Sequence, residues 1–409
     1  MNDLEKLIQE LCPQGVSYVE IGTSVNYEQP TKYIVNSTKY DDTYKTPVLT
    51  AGQTFVLGYT DETQGIYPAS KENPVIIFDD FTGAFKWVDF PFKVKSSAMK
   101  ILTANEEKAM LRYVYHFMGA LNFTSDEHKR LWIATYSKFK MPLPPMPIQR
   151  EIVRVLDNFT ELTAELTAEL TARKKQYEYY RDELLKSKVD IPMMKLKDIA
   201  TEMYRGSGIK RDEVTAEGIP CVRYGEIYTT YNTWFDTCVS HTKLENVQSP
   251  KYFENGDILF AITGESVEDI AKSVAYVGHE KCLAGGDIVV MKHNQNPRYL
   301  AHALATRAAR EQKSKGKVKS KVVHASVPSI EQIEIPVPPL DVQKRYADVL
   351  DNFEEICNNL NIGLPAEIEA RKKQYEYYRD MLLTFAAADD IILTDRQTDR
   401  QTDRQTDRA

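Results

Sequence analysis

Between residues 307 and 324 the chain reads RAAREQKSKGKVKSKVVH, seven basic side chains against one glutamate. Arg307 and Arg310 are followed by Lys313, Lys315, Lys317, Lys319 and Lys321, alternating around Gly316. That spacing suits a loop or extended edge that tracks the phosphates of a nucleic acid. A merely solvated loop is the bland reading, and it is disfavoured because the rest of the chain is acidic. Reading bases would need donors and acceptors presented from turns to a groove. Gly-punctuated turns carry Arg205, Lys210, Arg223, Tyr224, Thr263 and Glu265, and Tyr27, Gln29, Lys32, Thr50 and Gln53 are comparable earlier in the chain. Lys86, Trp87, Lys93, Lys95 and Lys100 make a basic-aromatic group. A weaker counterpart of the lysine run is His128, Lys129 and Arg130, then Lys138 and Lys140.

Bond-making chemistry has no comparable signal. There is no GxxxxGK[ST] phosphate loop and no Asn/Asp-Pro-Pro-aromatic motif of the kind amino-methyltransferases use. GSGIK (206–210) and AGG (284–286) are isolated glycine clusters without a dinucleotide fingerprint. Seven scattered histidines form no HExxH, and Cys12, Cys221, Cys238, Cys282 and Cys357 form no CxxC, so no metal site is expected. Asp79, Asp80 and Asp89 imitate a nuclease cluster without a metal-binding pattern around them. The unpaired cysteines read as reduced thiols of a cytoplasmic protein. No apolar run approaches the length needed to cross a bilayer, so no membrane partner is expected. A formal charge of −7 argues against coating nucleic acid with the whole surface, but not against local contact.

The elements that would position these residues are announced by a duplication. ARKKQYEYYRD stands at 172–182 and again at 370–380. Upstream, PLPPMPIQREIVRVLDNF (142–159) matches PVPPLDVQKRYADVLDNF (336–353). Ile152, Leu156, Phe159, Leu162, Leu166, Leu170, Tyr177, Tyr180 and Leu184 recur at a helical period, predicting a helix over about 148–186. The second copy repeats the stripe from Tyr346 to Leu382, but Gly363 and Pro365 predict a break at IGLP. Two such stripes would bury each other as an antiparallel pair.

Between them, 13–141 and 189–335 are rich in strand-like runs such as PVIIFDD (74–80) and NGDILFAITGES (255–266). The fold class expected is therefore α/β (α+β). Two mixed α/β globules would be separated by two long helices forming an antiparallel coiled coil, with pseudo-twofold character. The boundaries expected are 1–147, 148–188, 189–340, 341–388 and a tail, 389–409. Two dissimilar readers held apart by a spacer would contact two different half-sites of one duplex.

The perfect tandem TAELTAEL (163–170) sits inside the first helix with Leu162, Leu166 and Leu170 on its stripe. Each added unit would lengthen the helix by about 6 Å and rotate the downstream turns by about 40°. Nearly two base-pair steps fit in that length, so the tandem reads as a spacing element.

Pro-Pro then Gln, LDNF and RKKQYEYYRD, twice over, resemble the specificity subunit of type I restriction–modification systems, across the chain to about residue 388. GDILFAITG and VRYGEI resemble that family's variable domains. YEQPTKYIV (27–35), PVLTAG (47–52), VLGYT (56–60), VIIFDDFT (75–82) and the TAEL tandem resemble the subgroup called IC. The resemblance implies a non-catalytic reader of double-stranded DNA with two target-recognition domains. It also implies two helical regions that dock two methyltransferase subunits, with motor/nuclease subunits joining the full complex. S-adenosylmethionine, ATP and Mg2+ would belong to those partners, and this chain would hold no cofactor. Docking would fall on Arg173, Tyr177, Tyr180 and Arg181, with Arg371, Tyr375, Tyr378 and Arg379 in the second copy. The competing reading is a coiled-coil scaffold that assembles partners with little DNA readout of its own.

The end of the chain, TDRQTDRQTDRQTDR (394–408), has balanced charge and no apolar residue, which predicts disorder. Tandem ACAG in DNA encodes Thr-Asp-Arg-Gln, so a four-nucleotide tract that shifts the reading frame by slippage is expected in the gene.

Overall fold

The structure is a computed structural model that describes residues 2–52, 54–105, 107–123, 129–186, 190–315, 322–358 and 362–385. Gln53, Lys317, Lys319, Lys321, His128 and the TDRQ tail lie outside them. The mixed α/β class holds, but the compact units do not follow the linear boundaries. The first unit is Met1–Leu166 with Ile368–Ala409, and the second is Thr167–Glu367. Each unit therefore combines its own globule with helical segments from both copies of the repeat.

In the first unit a four-stranded antiparallel sheet runs Val25–Glu28, Met99–Ala104, Val75–Asp79, Phe85–Val88. A smaller sheet runs Val56–Thr60, Thr46–Leu49, Lys93–Val94, its last pairing parallel. Strand Val75–Asp79 is buried on both faces, which is why PVIIF is continuously apolar. Its side chains alternate with the period of two. Ile76 and Phe78 pack with Trp132, with Tyr113 of helix Leu111–Ala120, and with Ile148, Ile152 and Leu156. Val75 and Ile77 pack with Leu49, Phe92 and Val94.

The second unit repeats that plan with other residues. Its larger sheet runs Ala200–Arg205, Ile288–His293, Ile258–Ala261, Ser273–Tyr276, Trp234–Phe235. A second sheet runs Val214–Thr215, Ser240–Thr242, Ile219–Val222, Cys282–Ala284, Tyr252–Phe253, again with one parallel pair. Ile258 and Phe260 face helix Pro297–Ala305, whereas Leu259 and Ala261 face Val222, Phe253 and Cys282. All five cysteines are buried free thiols.

The long helix spans Met146–Leu184 without interruption, 39 residues or about 58 Å at 1.5 Å per residue. The Pro145 carbonyl accepts from the amides of Ile148 and Gln149 at its start. The second copy forms two helices, Leu340–Asn358 and Gly363–Leu382, consistent with the break expected at IGLP. Gly363 opens the latter at φ +63°, a conformation that costs glycine little.

Candidate nucleic-acid interface

The strand ends of the second unit gather most of the turn residues singled out in its sequence. Gly206 and Ser207 donate their amides to the carbonyls of Ile288 and Ala284, while Gly285 donates to Val222. The turns 205–208, 222–225 and 284–287 are thereby laced together. A Cβ on Gly206 would collide with the Gly285 carbonyl, so this close approach requires glycine. Ile262 donates to Asp287, which brings Thr263 and exposed Glu265 to the same end. Arg205 donates through Nη2 to Asp287 at 2.6 Å, and Arg223 through Nη2 to Glu226 at 2.9 Å. Tyr224 is exposed, and Lys210 reaches Glu213 at 3.5 Å.

The lysine-rich run divides. Arg310 sits 3.9 Å from Glu178 on the long helix, and the amide of Arg307 donates to Asp182. These two arginines belong to the helix side of the unit. Lys313 is a correction to the exposed-loop reading: it is 7% exposed, donating to Ser273 Oγ at 3.1 Å and the Leu304 carbonyl at 2.9 Å. Apolar packing on this short helix won over the alternating pattern. Burial lowers its pKa to about 7, with Arg310 adding repulsion. Lys315 caps that helix. Beyond the undescribed lysines, Val323–His324 pairs with Thr263–Gly264, so the run ends beside the laced turns.

The first unit presents matched positions with different residues. Lys95 donates its amide to Leu49, next to Thr50, and Val35 donates to Val94 on the other side. Thr50, Lys95 and the segment Pro30–Tyr33 carrying Lys32 thus surround one strand end, with Gln29 exposed beside them. Lys32 pairs with Glu28 at 2.8 Å. The basic-aromatic group does not come together there. Lys100 is buried against Asp80 at 2.9 Å, a second correction, because its strand is covered on both faces at this point. Trp87 lies under Arg112 and against Tyr115, Lys86 is half-buried on the same strand, and Tyr27 stands edge-on to Trp132. Leu131 donates to the Asp80 carbonyl as Ala325 donates to Ile262, so 129–131 occupies in this unit the place of 323–325 in the other.

The repeated motif splits into two rows. Its inward row is used by the fold. In the first unit Nδ1 of His116 meets the Tyr375 hydroxyl at 3.0 Å and Nε2 meets Asp157 at 2.8 Å. Arg112 Nε donates to the same carboxylate at 2.7 Å. In the second unit His302 meets Tyr177 at 3.1 Å and Asp351 at 2.7 Å, and Arg298 binds Asp351 as well. Burial lowers the His116 pKa against the pull of Asp157, so the neutral ring donates from Nε2 and accepts at Nδ1. Burial works to raise the Asp157 and Asp351 pKa values, but the histidine hydrogen bonds hold both below the usual carboxylate range.

Gln149 and Gln343 repeat a further detail, accepting from the amides of Met110 and Asn296 and donating to the carbonyls of Pro144 and Pro338. Arg181 and Arg379 are also buried, each paired with the following aspartate. Tyr378 stacks on Phe159 at 5.2 Å. The outward row comprises Tyr179, Tyr180 and Tyr377, exposed by 63%, 52% and 65%. Arg173 is exposed on Glu169, and Arg371 is half-buried beside Gln374.

Sequence reasoning missed His116, His302, Asp157, Asp351, Arg112 and Arg298 as a set. RYVYH (112–116) and RYLAH (298–302) carried the signal, an Arg-Tyr-x-x-His shared by both globules. Among the described residues His302, Asp351 and Glu354 have metal-like spacing. Asp351 already accepts from His302, Arg298 and the Trp234 indole, and Glu354 accepts from Thr233, so the group is a structural junction. Leu162, Leu166 and Leu170 are half-buried along the unbroken helix, and the boundary between the units falls inside the TAEL tandem. No helix among the described residues is long and apolar enough to cross a membrane.

Comparison with known proteins agrees with these features. The type I restriction modification DNA specificity domain matches residues 13–173 and 188–370. The EcoR124I/EcoR124II specificity subunit of Escherichia coli is 39% identical over 403 residues, covering 96% of this chain and 99% of its own. A Haemophilus influenzae chain named as a type I restriction enzyme specificity subunit is 28% identical, over 82% of this chain and 86% of its own. A chain from a solved structure on complex assembly of the type I R-M system superposes with a TM-score of 0.54 at 14% identity. That match covers 90% of this chain and 97% of the other. With a match to both halves and a full-length relative at this identity, the chain belongs to the type I restriction–modification specificity-subunit family.

Proposed function

We propose that each unit reads one half of a split, asymmetric double-stranded DNA sequence, and that the chain is not itself an enzyme. One observation carries the reading: a shared strand framework presents different side chains at matched loop ends. Thr50 and Lys95 stand in the first unit where Arg223 and Gly285 stand in the second: the Lys95 amide donates to Leu49, just before Thr50, as the Gly285 amide donates to Val222, just before Arg223. A common scaffold with unlike tips suits two readers of unlike half-sites. The repeated helices dock two methyltransferase subunits through the outward row, and motor/nuclease subunits complete the assembly. S-adenosylmethionine, ATP and Mg2+ act in those partners, in the cytoplasm where the DNA is.

The test is co-expression with the methyltransferase partner followed by methylation mapping. A split asymmetric motif that depends on this chain is expected. A contiguous motif, or methylation that persists without the chain, overturns the reading in favour of a scaffold. The TAEL tandem sets the gap between half-sites, so deleting one unit, about 6 Å of helix, shortens the preferred gap. An unchanged gap in the mapped motif removes that role.

A further inference from the structure

Two arginines at the laced strand ends of the second unit are held in an unusual way for a DNA-facing surface. Arg205 donates from Nε to the Gly286 carbonyl and from Nη2 to Asp287. Arg223 donates from Nε and Nη2 to Glu226 Oε1, at 3.0 and 2.9 Å. Glu226 is itself immobilised: Ser240 donates to Oε1 at 2.7 Å, and the Arg223 amide donates to Oε2 at 3.0 Å. Both guanidinium groups are thus gripped along one side. A guanidinium has five N–H donors in a planar fork, so the Nη1–Nη2 edge of each is left facing away from its acid.

This arrangement suits base readout better than phosphate binding. An arginine paired with a carboxylate has little net charge to offer a phosphate, and the counterion-release gain that drives phosphate contact falls with it. Its remaining donors keep a fixed direction, as bidentate recognition of guanine O6 and N7 in the major groove requires. Space is available as well: Cβ atoms built on Gly208 and Gly225, each within three residues of one arginine, meet nothing within 4 Å. The arginines belong to one surface, since a Cβ on Gly285 would lie 3.3 Å from the Arg223 Cα and Gly286 holds Arg205. Arg205 is well exposed, its side chain 60% accessible.

We infer that Arg205 and Arg223, oriented by Asp287 and Glu226, each read a guanine in the half-site of the second unit. The inference rests on the DNA-reading function proposed above and adds which bases and which side chains.

The experiment uses the complex of the full chain with its methyltransferase partner, first mapped for its wild-type motif. Arg205→Lys keeps the charge and removes the fork. Selectivity for G·C over other pairs at one position of one half-site should fall on the order of 10- to 100-fold. The other half-site and the salt dependence of binding to unrelated DNA should stay as in wild type. Arg223→Lys should do the same at a second position of the same half-site. Because Arg223 also caps a local turn, Glu226→Gln, which keeps the shape but turns one of the two accepting oxygens into a donor, serves beside it and should lower selectivity at the same position, with circular dichroism as the check on folding. A uniform loss across all sequences with a shallower salt slope marks phosphate contacts and overturns the inference. So does a half-site without G·C pairs, or a folded Arg205→Lys complex with unchanged selectivity. If the wild-type complex yields no split motif, the underlying function fails instead, and the outcomes stay distinguishable.

Discussion

At the junction of the first unit Asp157 holds His116 and Arg112, and at that of the second Asp351 holds His302, Arg298 and the Trp234 indole. The residue types repeat, but the second carboxylate carries one more donor and is less exposed, 12% against 37% for the side chain. At the loop ends the contrast is reversed, since there the framework repeats and the residue types do not. The comparison separates two duties: the junction must hold a helix against any globule, while the loop tips are at liberty to differ.

The largest expected effect breaks the symmetry of the junctions. Asp351→Ala leaves a buried histidine, an indole N–H and a guanidinium without their shared acceptor, and should cost about 3–5 kcal/mol. Asp157→Ala, in the more exposed junction, should cost about 1–3 kcal/mol. Hydrogen exchange in helices Pro297–Ala305 and Leu111–Ala120 measures each unit separately, and equal losses would refute the ranking.

Buried lysines sharpen the contrast next. Lys93 and Lys100 in the first unit face Glu62 and Asp80, at 3.0 and 2.9 Å, whereas Lys313 in the second donates to a hydroxyl and a carbonyl over the Phe260 ring, with no carboxylate paired to it among the described residues. Its folded pKa, about 7, lies below the unfolded value near 10.5. Below pH 7 both states are protonated and the burial penalty is constant. Between 7 and 10.5 only the unfolded state binds the proton, so folded stability rises with pH, by up to about 1.4 kcal/mol per unit. Lys313→Met should remove that slope from the second unit alone, as seen in denaturant melts from pH 7 to 9; an unaltered slope would argue against a lysine that sheds its proton on burial. The smallest effect tests equivalence. Tyr375→Phe and Tyr177→Phe each delete one hydrogen bond to a histidine and should cost about 0.5–1.5 kcal/mol alike.

Much of this architecture was legible in the residues. The apolar stripe from Ile152 to Leu184 announced the long helix, PVIIF and GDILFAI announced strands, and Gly363 with Pro365 announced the break. ARKKQYEYYRD was visible as a repeat, but its division into an inward and an outward row was not. Tyr375 is 259 residues from His116, and a helical period says which residues share a face without saying what covers it. For the same reason an alternating run of lysines concealed that Lys313 turns inward.

The chain by itself determined the duplicated helices, the two strand-rich globules and the absence of known catalytic signatures, because these follow from local period and composition. Only the tertiary structure decided that each globule is completed by helix from both copies of the repeat, and that Arg205 and Arg223 are gripped by acids. Burial and hydrogen bonding between distant segments are set by the fold as a whole, and no window of sequence contains both partners.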